Sequence, residues 1–99
     1  MTAIAVPEKV DLNGNFPNPF NPTTTIKFGL PEDSHVQLNI YAMNGQKVHT
    51  LLDGQVSKSY HQIVWDGKNE SGQPVSVGMY VYELKTDNKR ILKKMLLVK

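Results

Sequence analysis

The 99-residue chain has no cysteine. Disulfide frameworks, thiolate metal sites and cysteine nucleophiles are therefore excluded, while an oxidising and a reducing compartment suit it equally. No run approaches the ~18 apolar residues of a membrane-spanning helix. Residues 1–10 lack the basic start and long apolar stretch of a secretory leader. Helical periodicity is also missing: windows with apolar residues at i, i+3, i+4 and i+7 are cut short by Gly or Pro. Aromatic residues are only 8% of the chain. Phe16, Phe20, Tyr41 and Tyr60 form no strip at fixed spacing of the kind that stacks on sugars, and packing at a core rim explains them as well.

Motifs for chemistry are equally scarce. Neither H-E-x-x-H nor G-x-S-x-G occurs. His35 and His49 have no acid at a catalytic spacing, and His61 shares a strand face with Trp65, which places it at a core rim. Residues 66–72 have the oxygen-rich look of a calcium loop, but Lys68 and Ser71 occupy positions that the loop pattern reserves for a ligand and a glycine. Asp and Asn there are expected to bond their own backbone in consecutive turns. Asn69-Glu70-Ser71 matches a glycosylation sequon. No phosphate loop is present. The expectation is a chain with no catalytic residue, no metal and no cofactor.

Charge is unevenly placed. The net +2 hides five Lys against eight acids over residues 1–84, a net −3, and Lys85, Lys89, Arg90, Lys93, Lys94 and Lys99 against Asp87 alone over residues 85–99, a net +5. A basic end suits an anionic partner. The plainer reading is that lysine blunts an exposed edge strand. Nucleic acid is not expected, because the basic stretch has no interleaved aromatics.

What the chain does have is period-two alternation. Thr24-Ile26-Phe28-Leu30 and Val36-Leu38-Ile40 each set an apolar face against a polar one. Asn44-Gly45 predicts a two-residue type I′ hairpin. A strand over residues 46–52 follows, with Val48 pairing back toward Ile40 and Asp53-Gly54 closing it. Further strands are expected over residues 60–66, 79–86 and 91–98, with an added first one near residues 8–12. Short strands with frequent turns predict an all-β, immunoglobulin-like antiparallel β-sandwich of about seven strands. The expected core is Ile26, Phe28, Val36, Leu38, Ile40, Val48, Ile63, Trp65, Tyr80, Tyr82 and Leu84, with Met95 and Leu97. Met95-Leu96-Leu97-Val98 is continuously apolar, so periodicity does not set its phase.

Phe16-Pro17-Asn18-Pro19-Phe20-Asn21-Pro22 cannot be a central strand, since each proline removes a ladder donor. It reads as a stiff clamp on the strand that starts at Thr24, with both Phe rings packed on one end of the sandwich. The alternative is a proline-rich ligand for a partner.

Three blocks together point to a family. Phe16-Pro17-Asn18-Pro19-Phe20-Asn21-Pro22-Thr23-Thr24-Thr25-Ile26 resembles the opening motif of the C-terminal sorting domains of the type IX (Por) secretion system, which are related to the immunoglobulin-like domain of the flagellar hook-capping protein. Trp65-Asp66-Gly67 through Gly72, then Val77-Gly78-Met79-Tyr80-Val81-Tyr82, resembles that family's second motif. Met79 replaces its usual branched aliphatic residue. Lys93-Lys94-Met95-Leu96-Leu97-Val98-Lys99 is similar to its basic, then apolar, final strand. The resemblance covers residues 15–99.

The resemblance implies a non-catalytic sorting signal at the end of a cargo protein. The cargo would pass through the periplasm, be recognised by the outer-membrane type IX translocation machinery, and be cut by a sortase-like peptidase at the cell surface. Residues 13–99 would be the sorting domain. Residues 1–12 would be a linker to upstream cargo or a first edge strand, making the chain a fragment of a larger protein. Recognition would rest on Lys93, Lys94, Met95, Leu96, Leu97, Val98 and Lys99. Pro17, Asn18, Pro19, Phe20, Trp65, Asp66, Gly67, Gly72, Gly78, Tyr80 and Tyr82 would serve structure. The alternative is an immunoglobulin-like spacer or carbohydrate-binding module of a multidomain extracellular hydrolase. An exposed last strand also suggests an edge-to-edge homodimer.

Overall fold

The structure is a computed structural model that describes residues 6–99; the first five residues of the expected 1–12 linker lie outside it. Among the described residues seven strands form two sheets: β1 (Asp11–Phe16), β2 (Thr24–Leu30) and β5 (Ser59–Trp65) in one, β3 (Ser34–Ala42), β4 (Lys47–Val56), β6 (Gly78–Lys85) and β7 (Arg90–Leu97) in the other. The spatial orders are β1-β2-β5 and β4-β3-β6-β7, and every pair within the sheets is antiparallel. This is the expected immunoglobulin-like sandwich.

Alternation decides what is buried. Ile26, Phe28 and Leu30 of β2 lie between the sheets together with Val36, Leu38 and Ile40 of β3 and Tyr80, Tyr82 and Leu84 of β6. β2, β3 and β6 are each flanked on both sides, and Trp65 of edge strand β5 is buried as completely as their inward residues. Val48 and Ile63 are only partly buried. They lie on β4 and β5, each at the edge of its sheet. β1 begins at Asp11, further along than residues 8–12 suggested, and stops where the prolines begin. A register shift between Leu12 and Gly14 keeps Leu12 buried in the core. Gly14 has φ +119° there, a conformation that glycine adopts at a bulge.

Two turn expectations are corrected. The Asn44-Gly45 hairpin is not a two-residue type I′ turn, because no residue other than glycine has positive φ among the described residues. The Gly45 N–H donates to the Ala42 carbonyl, and the Ala42 N–H to the Gln46 carbonyl, both at 2.9 Å. The loop is therefore three residues, Met43, Asn44 and Gly45, with only Gly45 (φ +88°) left-handed. Asp53-Gly54 does not end β4 either. β3 extends back to Ser34, so Gly54 pairs with Val36 and Val56 with Ser34. The chain reverses after Val56, where Asp33 Oδ1 accepts the Lys58 N–H at 2.9 Å.

Candidate recognition edge

β7 is one of the two edge strands of the four-stranded sheet, opposite β4. Its phase is now set. Met95 and Leu97 are buried, Leu96 is partly exposed, and Lys93, Lys94, Val98 and Lys99 are exposed. Lys93 shares the inward face with Met95 by alternation yet stays in solvent, an inward charge of the kind that blunts edge pairing. Among the described residues, Lys93, Lys94 and Lys99 make no ion pair; the three pairs are His35–Asp53, His49–Glu70 and Arg90–Glu83.

The outer side of β7 divides into two parts. Its end is covered by the proline-rich segment. The Phe20 N–H donates to the Leu96 carbonyl at 2.9 Å, and the Val98 N–H to the Phe20 carbonyl at 2.9 Å. Asn18 Oδ1 accepts the Leu96 N–H at 3.0 Å. Phe20 and Leu97 thus form a parallel bridge outside the regular ladders. The segment also grips the start of β2, as expected: the Thr24 hydroxyl donates to the Pro17 carbonyl at 2.8 Å, and Asn15 Nδ2 to the Thr24 hydroxyl at 3.1 Å. So the clamp joins three strands rather than one. Since Leu96 presents its N–H and C=O outward, alternation turns those of Leu92 and Lys94 outward too. Among the described residues no strand pairs with that stretch.

The two Phe rings part company. Phe20 is buried 5.6 Å from the Trp65 ring, which in turn meets Tyr80 edge-on at 5.6 Å. Phe16 is 54% exposed, with the Lys27 ammonium 5.4 Å from its ring centroid. It does not pack on the sandwich end, because the bulge in β1 turns Asn15 inward and Phe16 outward. Tyr60 is also exposed, but it pairs with Gly29 at one end of β2 while Phe16 pairs with Thr25 near the other. The two rings build no common stacking platform.

The second motif block packs against the first, Trp65 against Phe20 and Gly67 against Pro22. Trp65 Nε1–H donates to the Lys68 carbonyl at 2.9 Å, and Asp66 Oδ1 accepts the Lys68 N–H at 3.2 Å. Asn69 Oδ1 accepts the Ser71 and Gln73 N–H groups, both at 3.0 Å. These are the consecutive Asx turns that the composition suggested. Gly67 (φ +75°) lies so close to Pro22 that a Cβ would stand 2.9 Å from its carbonyl oxygen. Gly72 and Gly78 also have positive φ. The Tyr80 hydroxyl donates to the Ser76 carbonyl at 2.6 Å. Tyr82 is buried, and loss of water around its phenol pushes its pKa up to about 12. Pro19 is exposed between Asn18 and Phe20.

On the outer face of the four-stranded sheet lies a polar chain that strand patterns alone did not reveal. The buried Glu83 accepts from Asn39 Nδ2 at 2.9 Å and from the Tyr41 hydroxyl at 3.2 Å, and pairs with Arg90. The Thr50 hydroxyl donates to Asn39 Oδ1 at 2.9 Å. Burial alone would raise the Glu83 pKa, but bonds from Asn39, Arg90 and Tyr41 outweigh it and hold the carboxyl below its ordinary value. The available signal was a lone acid on the polar face of a strand whose neighbour opens with Arg90. His35 and His49 each find a carboxylate across space, at 2.9 Å and 3.9 Å, that sequence spacing did not show. Both lie on the surface. Nδ1 of His49 is bonded to the Lys68 carbonyl at 2.8 Å. His61 stacks on Phe28 at 5.3 Å, a core-rim position. Among the described residues no group of three or more His, Asp or Glu could hold a metal, and no helix is long and apolar enough to cross a membrane.

The family model described as the FlgD Ig-like domain matches residues 15–90. Among solved structures, FlgD from P. aeruginosa is 26% identical with a TM-score of 0.65, over 97% of this chain and 76% of that one. Dimeric latent PorU from Porphyromonas gingivalis is 24% identical with a TM-score of 0.71 over 90% of this chain. PorZ of the same organism, described as an essential surface component of its type IX secretion system, is 18% identical with a TM-score of 0.60 over 91%. This chain spans only 9% of that PorU chain and 11% of that PorZ chain, and both likenesses concern the fold. Comparison with curated proteins gave no match.

Proposed function

This chain belongs to the family of FlgD Ig-like domains, and from that premise we propose that it is a non-catalytic C-terminal sorting domain that directs an attached cargo through the type IX secretion system to the cell surface. The observation that supports this reading is the last strand. It is an edge strand whose Lys93 and Lys94 make no ion pair among the described residues, its buried side anchored by Met95 and Leu97 and its end fixed by Asn18 and Phe20. The fold is shared with a described surface component of that system. A signal read in the folded state needs both a stable scaffold and a reachable element. Of the residues assigned to recognition, Lys93, Lys94, Leu96, Val98 and Lys99 are the ones a partner meets on the folded domain, while Met95 and Leu97 hold the strand in place. The partners on this reading are the outer-membrane translocation machinery and a sortase-like peptidase acting upstream of the domain. The route runs through the periplasm to the surface.

The test fuses all 99 residues to an exported reporter in a host with a working type IX system. Deleting residues 92–99 removes buried Met95 and Leu97 and so risks unfolding. The triple variant Lys93→Glu, Lys94→Glu, Lys99→Glu changes only exposed side chains. Retention of both fusions in the periplasm is the expected result. Normal surface delivery of the deletion defeats the proposal.

A further inference from the structure

We propose that the uncovered part of β7, residues 90–94, is a docking edge for an extended acidic peptide segment of a partner protein, added as an eighth strand. This deepens the sorting reading by naming the class of partner at that strand. Three observations combine. First, among the described residues the outer side of β7 is hydrogen-bonded only at its end, where Asn18 and Phe20 bond Leu96 and Val98. The N–H and C=O groups of Leu92 and Lys94 point the same way and are unpaired by any strand among the described residues, so they offer donors and acceptors for an added strand. Second, the space beside them is a cleft between the edges of the two sheets, lined by Gly14, Phe16, Tyr82, Lys93 and Lys94. Alternate side chains of an incoming strand would enter it, and the opposite set would lie along Leu92, which is 45% exposed. Third, the charge is of one sign. Lys93 and Lys94 have no carboxylate partner among the described residues, while the Glu83 carboxylate is committed to Arg90, Asn39 and Tyr41.

Charge selects among occupants. A second copy paired antiparallel, β7 to β7, sets Arg90 opposite Lys94, Lys93 opposite Lys93 or Lys94 opposite Lys94 according to register, and like charges directly opposite one another destabilise a strand pair. A segment alternating Asp or Glu with aliphatic residues pairs the backbone, turns its acids toward Lys93 in the cleft and lays its aliphatic side chains along Leu92 on the opposite face.

The experiment uses the 99-residue chain, isotope-labelled, and a short capped peptide alternating glutamate with valine; its lysine–valine counterpart is the control. At a peptide concentration about ten times its Kd, the Leu92 and Lys94 amides should exchange about tenfold more slowly, while amides of β4 stay unchanged. The control peptide should give no protection. Leu92→Pro removes an outward N–H on an edge strand, a position that tolerates proline, and should abolish the protection while Leu96 and Met95 signals persist. Equal protection by both peptides overturns the proposal, as does protection confined to other strands, or protection that appears without peptide and grows with protein concentration, the mark of self-pairing. These outcomes are independent of export. If the peptide fails to bind but the terminal deletion still blocks surface delivery, the docking edge is refuted and the sorting role stands.

Discussion

Replacing Phe20 with Ala is the sharpest probe of the clamp. Phe20 is buried to 1% exposure with its ring 5.6 Å from Trp65. Removing a fully buried Phe side chain costs about 3–5 kcal/mol once the cavity is counted. Of this, roughly 0.5–1.5 kcal/mol is the ring–ring contact. A domain of this length has a net stability of roughly 5–15 kcal/mol, so the loss is a large share of the total. The melting temperature should fall by roughly 12 °C or more, at about 4–8 °C per kcal/mol. Urea unfolding followed by fluorescence is the assay, since Trp65 is the single tryptophan and the lost ring is its neighbour. Phe16→Ala is the internal control: with its ring exposed over Lys27, it should cost under about 0.5 kcal/mol. Equal losses for the two variants, or a loss below about 1 kcal/mol for Phe20→Ala, would refute the clamp's placement.

Asn18→Ala removes a single side-chain bond to the Leu96 N–H; it should lower stability by about 1 kcal/mol in the same unfolding assay and speed exchange at Leu96 more than at Met95. Gly67→Ala meets both a positive φ and the Pro22 carbonyl, whereas Gly72→Ala meets only the positive φ, so the first should cost about 1–3 kcal/mol more than the second by calorimetry. Glu83 is held below its ordinary pKa, so its ionised form stabilises the fold at neutral pH, and that contribution fades as pH falls through the depressed folded value. Glu83→Gln should therefore show a shallower loss of urea midpoint between neutral pH and about pH 3 than the parent chain; parallel acid limbs would contradict the assignment.

The parts of the fold legible in the sequence were those written as alternation. Ile26-Phe28 and Val36-Leu38-Ile40 read correctly because one face of each strand is dry and the other wet, so a one-residue slip would invert both. The hairpin at Asn44-Gly45 was visible but not its type, since Met43 joins the loop and Asn44 keeps negative φ. Asp53-Gly54 has turn composition yet lies within a strand, because Gly54 faces open space and has Val36 to pair with. The bond between Phe20 and β7 was out of reach: it joins segments at opposite ends of the chain through backbone groups, which every residue has. The Glu83 network depends on register across β3, β6 and β7, and no single strand's pattern shows register.

The central claim is that the last strand is fixed at its end and open before it. Residue-resolved amide exchange along β7 tests this most directly. Ile91, Lys93 and Met95, turned toward β6, should be protected; Leu92 and Lys94 should exchange fast; Leu96 and Val98, bonded to Asn18 and Phe20, should be protected again. Uniform protection along the strand, or Leu96 exchanging as fast as Leu92, would contradict the account.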